Sequence, residues 1–138
     1  TSDGTVDGTE MLEIVPGTAG AWVSDLTVVG DVLYFTAITD GTYYGPRSLW
    51  RYVAGGTPEQ ISSPVLTPQF VAPSQLAAAG ELLLFTATLS GTSDTEVFSY
   101  DGESFQRLSN VPNANNLPLD PTRLGDRVFF GARDASSG

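Results

Sequence analysis

The chain has 138 residues, a formal net charge of −10, no cysteine and no histidine, and its six basic residues are all arginine. That length suits one domain with a real core. The missing cysteine excludes a disulfide framework and a thiolate metal site, and the missing histidine removes the commonest general base, transition-metal ligand and triad member. The acidity argues against nucleic acid and anionic membrane as partners.

Thr1–Thr9 reads TSDGTVDGT. Asp-Gly-Thr is turn chemistry, in which Asp and Thr bond nearby backbone and Gly takes the left-handed position. Asp3 and Asp7 are also the residues from which a calcium loop would be built, and calcium is the one cofactor with candidate ligands here. The ion needs six to eight oxygens, and the EF-hand spacing is absent.

Glu10–Val15 alternates and predicts a short strand, followed by a loop over 16–20. Trp22 and Val23 lead to a strand at Leu26–Val29 and then to the octet Gly30–Ala37, GDVLYFTA. The octet returns as GELLLFTA at Gly80–Ala87 and as GDRVFFGA at Gly125–Ala132, fifty and then forty-five residues on. Each copy reads as a tight turn feeding a strand. Leu33, Phe35 and Ala37 share one face and Val32, Tyr34 and Thr36 the other, with Leu83, Phe85, Val128 and Phe130 continuing the first face. Both faces are apolar in the first two copies, so each strand needs a layer on either side.

Between the octets, 40–46 is a turn carrying Tyr43 and Tyr44. Ser48–Val53 is a strand, and Glu59–Ser62 a short edge strand opened by Pro58. A Pro-rich loop over Pro64–Pro73 carries Phe70. Gln75–Ala79, Leu82–Leu89, Thr95–Tyr100 and Ser104–Leu108 repeat the cycle, with an Asp101-Gly102 hairpin turn. Ser109–Pro121 is a polar loop, and Thr122–Leu124 with Arg127–Arg133 forms a last hairpin. The period and the four short strands per unit predict an all-β fold of β-propeller-type blades, approximately residues 1–50, 51–98 and 99–138, the last incomplete. The alternative is a β-sandwich. No apolar run approaches a membrane span.

These residues resemble the bacterial ELWxxDGT repeat. The turn is Asp3-Gly4-Thr5 with Gly8-Thr9 after it, the hairpin runs from Leu26 to Ala37, and the strand is Leu49-Trp50 with Ser48 in place of Glu. A second copy has Leu76 to Ala87 and Glu96-Val97-Phe98, with the turn eroded to Asp101-Gly102-Glu103. The third keeps Gly125-Asp126 and Phe130 to Ala132, with Pro121 where the repeat leucine falls. The resemblance implies propeller blades in large secreted or surface proteins. It carries no shared catalytic residue to transfer.

Asp25, Asp31, Asp40 and Glu81 are the carboxylates from which a glycosidase pair would be drawn, but all sit in or beside turns that favour them for backbone bonding. Trp22, Tyr43, Tyr44 and Phe70, read as loop aromatics, suit carbohydrate or protein contact; the other reading has them covering blade edges. The expected function is a non-catalytic extracellular or cell-surface module for adhesion, scaffolding or protein assembly. The alternative is a polysaccharide-active hydrolase or lyase, or a carbohydrate-binding module. Opening on Thr1 rather than Met is what an excised piece or the mature part of a longer protein would show. With Glu10–Val15 as a lone outer strand and half a blade at the other end, the segment is expected to associate with further copies or with the remainder of a longer chain.

Overall fold

The computed structural model describes residues 1–15, 17, 20–62, 70–110, 119–125 and 127–131. The expected loops over 64–69 and 111–118, together with Asp126 and the closing Ala132 of the third octet, lie outside them. The described residues form ten strands and no helix: β1 Trp22–Val29, β2 Val32–Ile38, β3 Ser48–Val53, β4 Glu59–Gln60, β5 Phe70–Ala79, β6 Leu82–Leu89, β7 Thr95–Tyr100, β8 Phe105–Arg107, β9 Leu119–Leu124 and β10 Arg127–Gly131. They make three antiparallel sheets in chain order: β1-β2-β3-β4, β5-β6-β7-β8 and the pair β9-β10. The all-β class is as the residue pattern predicts.

Each sheet opens on the octet hairpin. The turn glycines Gly30, Gly80 and Gly125 have φ of 57°, 67° and 64°, where an L side chain is strained. Each hairpin also carries a bulge at one place. Ser24↔Thr36 is followed by Thr27↔Tyr34, Ser74↔Thr86 by Ala77↔Leu84, and Leu119↔Gly131 by Thr122↔Phe129. The inner strand spends three residues where its partner spends two, and the extra residue falls at Asp25, Gln75 and the Asp120-Pro121 step. A proline is tolerated there because a bulge interrupts the ladder. Asp25 and Gln75 adopt φ of 54° and 53°, a conformation that costs a non-glycine residue roughly 1–2 kcal/mol.

The sheets stack through their first strands, β1 beside β5 and β5 beside β9. The main core lies between the first two sheets. Val29, Tyr34 and Leu49 of the first meet Leu83, Phe85, Phe98 and Tyr100 of the second. Thus the Phe85 face of the second sheet lies on the Tyr34 face of the first, with Tyr34 and Tyr100 rings 6.1 Å apart, edge to face. On the far side of the second sheet Leu84 and Thr86 are also buried, and β9 lies against β5 and β6 there. A sheet buried on both faces needs a layer on each.

Several elements differ from the sequence expectation. Glu10–Val15 joins no ladder among the described residues. Its apolar side chains are used differently: Ile14 and Val15 pack on Phe35, Ala37 and Trp50, the outer face of the first sheet. Strand β5 starts five residues early, at Phe70, and takes in Pro73 by means of an additional register shift between Val71 and Ser74. Of the octet residues expected in the core, Phe35, Leu83 and Phe85 are fully buried, while Leu33, Val128 and Phe130 are half-buried.

Candidate functional site

The four aromatic residues named from the sequence separate into two groups. Phe70 is not a loop residue; it opens β5 and is 1% exposed. Its ring lies 4.9 Å from Phe98 and 5.3 Å from Phe85, between the sheets. A ring so enclosed meets no ligand, and Phe70 is corrected to a core residue. Trp22 is the first residue of β1 rather than a loop residue, but it is 52% exposed, and Tyr43 and Tyr44 are 60% and 92% exposed. These three come together. Trp22 and Tyr43 stand edge to face at 4.8 Å, as do Tyr43 and Tyr44. With Arg47, from the loop just before β3, and Val71 and Ala72 from β5 they line a cleft of about 600 Å³, within the range of small-ligand sites.

The local sequence explains the display. In Asp40-Gly41-Thr42-Tyr43-Tyr44-Gly45, Asp40 Oδ1 accepts from the Thr42 amide at 2.9 Å and from its hydroxyl at 2.8 Å. Those bonds hold the exposed carboxyl below its ordinary range, the backbone bond being the larger cause. The carboxylate rests on Gly45, where a methyl group would overlap it. Asp3 in DGTVDG repeats every part: its Oδ1 takes the Thr5 amide at 2.9 Å and the Thr5 hydroxyl at 2.7 Å, and its carboxylate rests on Gly8. One turn is thus used twice, and both times the pair before the final glycine faces solvent. In one copy the pair is Val6-Asp7; in the other it is Tyr43-Tyr44.

Arg47 lines the cleft and joins a chain of hydrogen bonds. Its Nη1 donates to Ser24 Oγ and lies 3.5 Å from Asp25 Oδ2. The Ser24 and Thr36 hydroxyls are 2.9 Å apart, and Thr36 donates to Asp25 Oδ2 at 2.9 Å. Asp25 Oδ1 accepts from the Gln75 amide at 3.2 Å. The positive charge of Arg47 is therefore countered by Asp25 beneath it. Its Nε and Nη2 groups have no hydrogen-bond partner among the described residues.

None of the four carboxylates considered for catalysis lines this cleft. Asp25 is engaged by Arg47, Thr36 and Gln75, Asp40 by Thr42, and Asp31 and Glu81 lie in the octet turns. Asp3 is occupied by Thr5, Asp7 is exposed, and no group of three acidic side chains that could hold a metal ion occurs among the described residues. Asp3 and Asp7 remain calcium candidates from the sequence alone.

Sequence reasoning missed Arg47 and Ser24. A signal for the loop was present: between Ala37↔Ser48 the first sheet uses residues 38–47, and between Ala87↔Glu96 the second uses 88–95, two fewer. The shorter loop, TLSGTSDT, has no aromatic residue. Trp22 likewise has Val71 as its register counterpart, since Trp22 pairs with Ile38 and Val71 with the equivalent Thr88. The cleft is built from positions where the first sheet departs from the second, while the shared positions hold the fold. Among the described residues no helix is long and apolar enough to cross a membrane. Comparison with protein-family models, with curated proteins and with solved structures gives no match for this chain.

Proposed function

We propose that this chain is a non-catalytic recognition module of propeller-type blades, similar to the ELWxxDGT repeat, that serves adhesion, scaffolding or assembly outside the cell or at its surface. One observation carries the reading. The exposed cleft offers aromatic faces and an arginine already countered by Asp25, and no carboxylate lines it. Such a lining binds and orients; it lacks the pair of acids that glycoside hydrolysis requires. The blade reading is supported by the three bulged hairpins and by the second sheet's burial on both faces, whereas a sandwich sheet keeps one face in water. The protein partner on this reading is another copy, the remainder of a longer chain or a separate surface protein.

The test is a turnover assay over plant, algal and microbial polysaccharides, read as reducing ends and as unsaturated products. The proposal expects neither. Turnover that disappears with a single change at Asp25, Asp31, Asp40 or Glu81 would establish the hydrolase or lyase alternative.

A further inference from the structure

The geometry points to a neutral oligosaccharide as the occupant of the Trp22–Tyr43–Tyr44 cleft, an assignment that rests on the recognition reading and names its ligand class. The rings supply the first half of the match. Neighbouring rings stand at 86° to each other, so the cleft presents aromatic faces in more than one direction. Aromatic faces carry negative quadrupole potential, and the C–H face of a pyranose is their natural complement. The hydroxyls at that sugar's rim would then need donors, and the Arg47 guanidinium lines the cleft with Nε and Nη2 groups that have no hydrogen-bond partner among the described residues. A charge countered in this way can be a specific donor to a neutral hydroxyl without demanding an anion, because Asp25 already compensates it at 3.5 Å. A polyanionic ligand would also approach a chain of net charge −10, and that field works against association. An extended proline-rich peptide is the competing occupant, since it too docks on aromatic grooves. The perpendicular rings favour the sugar: a polyproline helix lies along a row of roughly parallel ridges.

The chain's two tryptophans make the test direct. Trp22 is exposed in the cleft and Trp50 is buried in the first sheet, so their two indole N–H resonances report the site and the fold separately. The intact chain is titrated with hexasaccharides of cellulose, xylan, mannan, chitin and amylose, and with decaproline and hexagalacturonate as competitors. The inference expects at least one neutral hexasaccharide to shift the Trp22 indole saturably while Trp50 stays in place. Trp22→Ala and Tyr44→Ala should each weaken that binding tenfold or more, with the Trp50 signal reporting an intact fold in Tyr44→Ala and far-ultraviolet dichroism in Trp22→Ala. Arg47→Leu should weaken it as well. No shift with any neutral sugar overturns the inference, as does a response to decaproline alone or to hexagalacturonate alone. Each of those results leaves the outcome of the turnover assay untouched, so the two readings fail separately.

Discussion

The carboxylate of Asp25 accepts a hydrogen bond at 3.2 Å from the backbone amide of Gln75, its own register equivalent one sheet along. Both residues sit at the bulge with left-handed backbone. Beside this bond Thr27 Oγ1 donates to the Leu76 carbonyl at 3.1 Å, again across the sheet boundary. A bulge leaves an amide without its ladder partner, and a buried orphan amide is costly. The carboxylate of one bulge thus satisfies the amide that the next bulge frees.

Asp25→Ala should therefore destabilise the fold by about 2–3 kcal/mol, from the lost charge-assisted bond and the alanine held at positive φ. Asp25→Asn, which keeps an acceptor and tolerates that conformation, should cost about 1 kcal/mol or less. Urea denaturation of the three proteins orders them. Equal losses for the two variants would mean that the charge opposite Arg47, rather than the amide bond, matters.

A second expected outcome concerns the outer edges of the two four-stranded sheets. Ser62 Oγ accepts from the Leu49 amide at 2.8 Å, and Ser109 Oγ accepts from the Val97 amide at 2.9 Å. Next to these serines the sheets differ. Glu96, 1% exposed, is bonded by Arg107 at 2.7 Å and by Ser109; Ser48 and Gln60 take the corresponding places in the first sheet. Arg107→Ala should cost about 3–5 kcal/mol by taking the Arg107 guanidinium away from a buried carboxylate. The double change Glu96→Ser with Arg107→Gln, which imports the neutral pair, should cost less than Arg107→Ala alone. Chemical denaturation of the single and double variants checks the order.

The turn that displays Tyr43 and Tyr44 is expected to respond to acid. The Thr42 amide and hydroxyl hold the folded Asp40 carboxyl below its ordinary value of 3.8. A carboxyl depressed by folding contributes stability above its unfolded pKa, and the contribution is lost as pH falls through the lower, folded one. The Asp40 carboxyl carbon followed by NMR should titrate below the same group in a short peptide. A midpoint at or above the peptide's would contradict the turn geometry.

The third sheet leaves one of its large aromatic side chains in solvent. Phe129 is 54% exposed, although Tyr34 and Leu84, its equivalents in the first two sheets, are buried beneath the sheet that follows. By the same logic, the Phe129 face suits another sheet presenting an apolar face. As a hypothesis, this face drives self-association at micromolar concentration, and Phe129→Asp should lower the mass measured by light scattering. A wild-type chain that is monomeric throughout the concentration range would sink it.

Much of this architecture was legible because the octet is a local device. Gly30, Gly80 and Gly125 mark three turns by their conformation, and alternation assigned Phe35 and Tyr34 to opposite faces. Phe70 was misread because Pro73 and its prolyl neighbours suggest a loop, whereas a bulge lets the strand run through Pro73. Glu10–Val15 was misread because alternation reports which side chains are buried, not whether the backbone pairs; Ile14 and Val15 are buried by packing on Phe35 and Trp50. In the candidate site, the tyrosine pair was visible as exposed aromatics in a turn. Arg47 was not, because nothing in a sequence places it in one cleft with Trp22 and beside Ser24 until the hairpin register is known.

The second sheet lays its Phe85 face on the Tyr34 face of the first, and β9 of the third lies against β5 and β6 of the second. Nuclear Overhauser contacts between aromatic and methyl protons read this stacking in solution. Stacking predicts contacts from Tyr34 to Tyr100 and from Leu49 and Val29 to the Leu83–Phe85–Phe98 group, with Phe35 and Trp50 contacting Ile14 and Val15 instead. Contacts joining Phe35 or Trp50 to Phe85 or Phe98 would place the two like faces together, as in a closed sandwich, and would rule the stacking out.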